Sequence, residues 1–337
     1  MQKINVQLDS SKAQGTDAPN LVVILGTGGT IAGTAESASD NVGYRAAQLG
    51  VDQLLAAIPA LSPYQLEAEQ LAQLDSKDMD FPTWQKLALR VQAHLARPEV
   101  AGLVITHGTD TLEETAYFLQ RVLAPRKPVV LTAAMRPATA LQKDGPQNLL
   151  DAVRVALDSE ARGVLLAFAG QVHGAEQVRK VHSYKVDAFA SVDGNRLAWI
   201  EEGHVRWLSQ ARLMSEPMGT ELLASLDCEA WPKVDIIMNH VGATGSIVRA
   251  LLVQGVDGLV VAGTGNGSLS TELESALREA QAKGVAVLRS TRCDAGPVTS
   301  SADALPSAGT LSPVKARVEL LLNLLQQKLA IQVGRKQ

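Results

Sequence analysis

Long apolar runs, cysteine and basic excess are all scarce in this 337-residue chain. No stretch of about 20 apolar residues is present to span a bilayer. The N-terminus, Met1-Gln-Lys-Ile-Asn-Val-Gln-Leu-Asp-Ser10, lacks the apolar core that a secretory signal needs. Cys228 and Cys293 are the two cysteines, and one pair in a chain of this length does not describe a disulfide-stapled secreted fold. These absences predict a cytoplasmic protein. Six histidines fall in no H-E-x-x-H or comparable ligand spacing, so no metal is expected, and nothing implies an organic cofactor. A net charge of -4, without blocks of like charge, argues against nucleic acid or an acidic membrane as the main partner.

Hydrophobic residues make up 46% of the chain and charged residues 20%, enough for a sizeable core. At roughly 100–200 residues per domain, two domains are expected. Residues 1–19 are polar and aperiodic and read as a flexible arm. Leu21–Leu25, Leu103–Thr106, Val129–Thr132 and Val164–Phe168 are short apolar runs, the pattern of buried parallel strands. Trp84–Leu95, Leu112–Leu123 and Gln147–Leu157 carry helical spacing between them, the last with Pro146 in its first turn. The pattern weakens around Ser191–Glu229, where turn signals predict a hairpin and a connection. Alternation resumes after Pro232 through Val234–Met238, Ile247–Val253, Leu259–Ala262, Leu273–Lys283 and Val285–Leu288. It ends with a helix over Val314–Leu329. The pattern predicts a layered α/β architecture in both halves: an N-terminal domain over 20–207, a linker over 208–230 and a C-terminal domain over 231–337.

Two segments carry the chemistry. In Val22-Val-Ile-Leu-Gly26-Thr-Gly-Gly-Thr30-Ile-Ala-Gly33 a strand runs into a glycine-rich turn at the carboxyl edge of a sheet, where such folds hold ligands. The spacing is neither G-x-G-x-x-G nor a phosphate loop. What remains is a hydroxyl, Thr30 or Thr27, presented on a turn. In Ile105-Thr-His-Gly-Thr109-Asp-Thr-Leu-Glu-Glu114 a second strand enters a turn that opens a helix. One of Thr109, Asp110 and Thr111 could be a plain N-cap, while the free N–H groups of that terminus also suit a carboxylate ligand.

Together these segments resemble the bacterial-type L-asparaginases, a family that includes glutaminase-asparaginases. Its TGGTIA and HGTDTxEETA signatures stand unbroken as Thr27–Ala32 and His107–Ala116. Further matches follow at Ser76-Lys-Asp-Met79, Ala133–Pro137 with Asp144-Gly-Pro146, Gly265-Asn-Gly267, and Gly309–Arg317, so the resemblance covers residues 20–325. It implies hydrolysis of asparagine to aspartate and ammonia by a threonine nucleophile. It also implies a larger N-terminal parallel-sheet domain, a smaller C-terminal α/β domain, and a homotetramer built as a dimer of dimers. By position, Thr30, Tyr44, Thr109, Asp110 and Lys180 match the catalytic residues. Gly29, Ser76, Lys77, Thr109, Asp110 and Ala134 match substrate-contacting positions, with Ser268 matching a contact across a subunit boundary.

The chemistry agrees. A threonine hydroxyl is a weak nucleophile until a base takes its proton. A lysine serves as that base only where burial or a positive neighbour favours its neutral form. Backbone N–H groups of glycine-rich turns stabilise an oxyanion by about 3–4 kcal/mol per donor. Gly33–Gly50, small and polar with glycines at 33, 43 and 50, has the composition of a closing loop.

Two departures concern recognition. Lys77 stands where many relatives carry glutamine or glutamate against the substrate ammonium, and Ser268 stands where many have asparagine. The stretch Asp294–Ala308 is shorter than in relatives and leaves Asp303 as the candidate for their acidic contact. Unless Lys77 turns away or pairs with Asp78 or Asp80, both charge changes weaken ammonium binding. The expectation is modest affinity for asparagine and poor use of glutamine. Two other readings compete: an amidase-like component of a tRNA-dependent amidotransferase and a non-catalytic amino-acid binder. The first needs an additional N-terminal domain where 19 residues precede the first strand, and the second has no use for Lys180.

Overall fold

The computed structural model describes residues 19–211, 216–224, 227–299 and 301–334. The arm read over 1–19 therefore lies outside the described residues, apart from Pro19, as does part of the 208–230 connection. In chain order the first elements are β1 (Leu21–Gly28), α1 (Val51–Ala56), β2 (Gln65–Leu74), α2 (Phe81–Leu95), β3 (Val100–Thr106), α3 (Leu112–Leu123), β4 (Val129–Thr132) and α4 (Gly145–Leu157). Six strands follow: β5 (Val164–Phe168), β6 (Gln171–Gly174), β7 (Val178–Lys180), β8 (Phe189–Ser191), β9 (Ala198–Glu201) and β10 (His204–Trp207). The C-terminal part holds α5 (Glu221–Ala224), β11 (Val234–Met238), α6 (Ser246–Val253), β12 (Gly258–Gly263), α7 (Thr271–Ala282), β13 (Ala286–Thr291) and α8 (Pro313–Gly334).

One sheet runs β10-β9-β6-β5-β4-β3-β1-β2, parallel from β5 to β2 and antiparallel beyond. A smaller parallel sheet, β11-β12-β13, forms the C-terminal unit, and β7 pairs with β8 as a separate antiparallel ribbon. The N-terminal strands are continuous apolar runs because both faces are covered. Val23 and Leu25 of β1 pack with α2 and α3, while Val22 and Ile24 pack with α4. Each fully buried side chain of this kind stabilises the fold by about 1.5–3 kcal/mol.

Helix α8 joins the two units. Its Ala316, Val318, Leu321, Leu322 and Leu325 are buried in the same core as Phe118 of α3, so apolar residues cover several faces of the helix. Its Glu319 accepts from Tyr117 at 3.0 Å and from Arg121 at 2.6 and 2.9 Å.

Four adjacent strands place the signature residues. Gly28 of β1 is level with Leu74 of β2, Gly26 with Thr106 of β3, and Thr106 with Thr132 of β4. Ser76, Thr30, Thr109 and Ala134 each follow the carboxyl end of one of these strands, so one edge of the sheet gathers them.

Candidate active site

The turns after β1 and β3 touch through their glycines. Gly29 has φ 81°, and a Cβ built on it would fall 2.5 Å from the Gly108 Cα. A Cβ on Gly108 would in turn lie 2.7 Å from the Ser76 Cβ. Three loops therefore close on one point, and only glycine allows the approach.

Thr30 opens a single helical turn (Thr30–Ala32) and is 7% exposed. Its Oγ1 lies 2.6 Å from the Tyr44 hydroxyl. Tyr44 comes from the 33–50 loop, which is tied back to the turn. Thr34 and Arg45 exchange backbone hydrogen bonds of 2.9 Å, and the Ala47 N–H donates to the Gly29 carbonyl at 3.0 Å. The other hydroxyl of the motif, Thr27, is buried and donates to the Thr106 carbonyl at 2.8 Å, which commits it to holding β1 against β3.

Across the glycine contact, Lys180 Nζ donates to Thr109 Oγ1 at 2.9 Å and pairs with Asp110 Oδ1 at 2.5 Å. The Lys180 side chain is only 17% exposed, unlike a free surface lysine. Ser76 is buried. Its Oγ accepts the Asp110 N–H at 3.2 Å and its carbonyl accepts the Thr111 hydroxyl at 2.7 Å. Thr111 occupies the N-cap position of α3 without a side-chain cap, because its hydroxyl is directed to Ser76. Ala134 is fully buried beneath the site, where α4 packs close: a Cβ on Gly145 would lie 3.4 Å from the Ala134 Cβ and 2.8 Å from Ile31 Cγ1.

Lys77 turns away from this group. Its ammonium pairs with Asp75 at 2.6 Å and with Asp78 at 3.5 Å, so the principal partner is Asp75, a residue the sequence reading did not consider. The hydrogen bond it donates to Asp75 holds the Lys77 ammonium above its ordinary pKa. Ser268 and Asp303 sit apart on the C-terminal unit. Ser268 exchanges backbone hydrogen bonds with Thr264, and the Asp303 carbonyl accepts from Arg278. Among the described residues no hydrogen bond links either to the threonine group.

Three residues stand in the quoted motifs but were given no supporting role by the sequence reading. His107 is fully buried, and burial pushes its pKa down to about 4. Trp84 Nε1 donates to Thr115 Oγ1 at 2.9 Å, and Thr115 lies 3.0 Å from His107 Nε2, while His107 Nδ1 lies 2.7 Å from the Gly108 carbonyl. A carbonyl only accepts, so the neutral His107 donates through Nδ1 to Gly108 and clamps that turn, and its Nε2 accepts from the Thr115 hydroxyl. Asp144 accepts the Met135 and Arg136 N–H groups at 2.9 and 3.0 Å, fixing the turn after β4. Glu113 Oε1 accepts the backbone N–H of Lys180 at 3.2 Å. A motif shows that such residues recur beside the threonines but not which backbone group each one holds.

No set of three or more histidine, cysteine, aspartate or glutamate side chains among the described residues is placed to hold a metal ion. Cys228 and Cys293 are unpaired.

Comparison with known proteins bears on the family and the fold. Residues 21–213 match the family model for the asparaginase N-terminal domain, and residues 233–335 match that for the glutaminase/asparaginase C-terminal domain. The chain belongs to the asparaginase family. It is 41% identical to a probable periplasmic L-asparaginase of Haemophilus influenzae over 95% of this chain and 93% of that protein. It is 37% identical to a glutaminase-asparaginase of Pseudomonas fluorescens biotype A over 88% of this chain and 84% of that one. A crystal structure of a probable cytoplasmic L-asparaginase from Campylobacter jejuni superimposes with a TM-score of 0.85 at 39% identity, covering 90% of this chain and 95% of that one. The two-domain asparaginase architecture is the one observed here. Within it, two hydroxyls, each bonded to an ionisable partner, flank a pair of touching glycine turns.

Proposed function

We propose that this chain hydrolyses the side-chain amide of L-asparagine to L-aspartate and ammonia, with Thr30 as nucleophile and glutamine as a poor substrate. The observation that carries the reading is the pairing of two threonine groups at one sheet edge: Thr30 with Tyr44, and Thr109 with Lys180 and Asp110. Thr30 Oγ1 attacks the amide carbon while its proton passes to the Tyr44 oxygen, which relays its own onward. Backbone N–H groups of the two glycine turns face the oxyanion. The C–N bond then breaks, the nitrogen leaves as ammonia after gaining a proton, and an ester to Thr30 remains. Lys180, acting through Thr109, supports attack of water on that ester, which releases aspartate and restores the hydroxyl. Asp110 holds the lysine and receives the substrate ammonium, Ser76 shapes the turn that meets the α-carboxylate, and Ala134 forms the floor.

The pairing of Lys77 with Asp75 relieves one repulsion that the sequence raised. Steady-state hydrolysis of asparagine and glutamine across substrate concentration tests the preference. A clear excess of kcat/KM for asparagine supports it, and equal values contradict it.

The reading includes a homotetramer built as a dimer of dimers, with Ser268 and Asp303 serving a neighbour's site. Exposed Met238, Val241 and Val253 on the C-terminal unit support association. Light scattering coupled to gel filtration tests it. It also includes a cytoplasmic location, supported by two unpaired cysteines and by the absence, among the described residues, of a helix long and apolar enough to cross a membrane. Cell fractionation tests it: recovery with the cytosol supports the location, and recovery with the periplasm contradicts it.

A further inference from the structure

Lys315 is the most deeply buried charged side chain among the described residues, at 1% exposure. It projects from the first turn of α8, and its Nζ donates to the carbonyl of Glu176 at 3.1 Å and to that of Val178. These two carbonyls lead into β7, the strand that ends in Lys180. From the opposite side, Glu113 Oε1 accepts the Lys180 N–H, while Glu113 Oε2 is buried with no hydrogen-bond partner among the described residues. Burial pushes the Glu113 carboxyl up, and Lys315 is the foremost cation that opposes this.

The ribuon β7–β8 needs such support. Each strand has three residues, and a two-stranded hairpin of that size is not stable alone. The C-terminal unit holds it at a second point, where Arg179 donates to the carbonyls of Asp294 at 2.7 Å and Thr310 at 3.2 Å. A buried ammonium has a large desolvation cost, so a leucine or methionine would suit mere packing better.

We propose that Lys315 and Glu113 grip the β7 backbone from its two sides and so position Lys180 against Thr109, making both of them positioning residues for the reaction. The proposal rests on the reading of Lys180 as part of the catalytic group. Lys315 fixes the strand through its carbonyls, and Glu113 fixes the backbone N–H of Lys180. The charged groups that act on Lys315 are Glu113 on α3 and Glu176 and Arg179 on the segment that carries Lys180. Phe189–Ser191 of β8 contributes none.

The test is kcat and KM on L-asparagine for Glu113→Gln, Lys315→Met, the double variant and Lys180→Met, with thermal melts of each. Each single variant loses about tenfold in kcat, while KM stays within about twofold, and the double variant is little worse than the poorer single. If Lys315→Met does not fold, Glu113→Gln decides the matter. An unchanged kcat in the folded variants, with Lys180→Met inactive, overturns the proposal and leaves Lys315 and Glu113 as packing features. Full activity in Lys180→Met overturns the reading of Lys180 itself, and the proposal with it.

Discussion

Gly29 and Gly108 are in backbone contact: a Cβ on the first would sit 2.5 Å from the Cα of the second. This contact sets the separation between the Thr30 and Thr109 groups, and φ 81° at Gly29 adds strain for any other residue. Gly29→Ala is therefore expected to force the two turns apart. Misplacement on the order of 1 Å costs roughly 100-fold in rate. Kinetics should show at least that loss in kcat, while a thermal melt shows that most of the chain remains folded.

Tyr44 has its hydroxyl 2.6 Å from Thr30 Oγ1 and belongs to a loop secured by its own backbone. Tyr44→Phe removes the hydroxyl and leaves the loop bonds in place. Loss of one proton-transfer group is expected to lower kcat by roughly 100- to 10,000-fold. KM for asparagine should change far less. A rise in KM at constant kcat would show that Tyr44 only covers the substrate.

Lys77 is drawn away from the site by Asp75 and Asp78. Lys77→Gln removes the remaining positive field and keeps a polar side chain of similar reach. KM for asparagine is expected to fall by about three- to tenfold, with kcat nearly unchanged. Titration at low and high salt should show the wild type approaching the variant as screening increases.

His107 and His173 couple stability to acid. Burial is the first cause in both, and each pKa falls from 6.5 to about 4. Between those values the unfolded chain takes up protons that the folded chain excludes. The contribution is thus complete above pH 6.5 and is lost as pH falls towards 4. Each histidine accounts for on the order of 3 kcal/mol. Urea midpoints should decline through this window, and His107→Gln should flatten part of the decline.

The sequence revealed most where a strand is buried on both faces. Val22–Leu25 and Leu103–Ile105 are apolar without interruption because helices cover them on either side. β2 went unread for the opposite reason. It is an edge strand of Gln, Glu, Ala and Leu, residues that favour helix, and only its pairing with β1 makes it extended. The β7–β8 ribbon was also missed, because three residues are too few for alternation to show. Lys180 was found only through the resemblance, and its supports, Glu113 and Lys315, lie far from it in sequence. Long-range contacts of this kind leave no periodic trace.

The central claim is that the Thr30 and Thr109 groups act as one centre. Ammonia release from L-asparagine by the purified protein, by Thr30→Ala, by Thr109→Val and by the double variant tests it most directly. The account predicts a loss of at least about 1,000-fold in each single variant. The double variant should be little worse than the poorer single, as residues acting as a unit behave. Activity within tenfold of wild type in either folded single variant would contradict it.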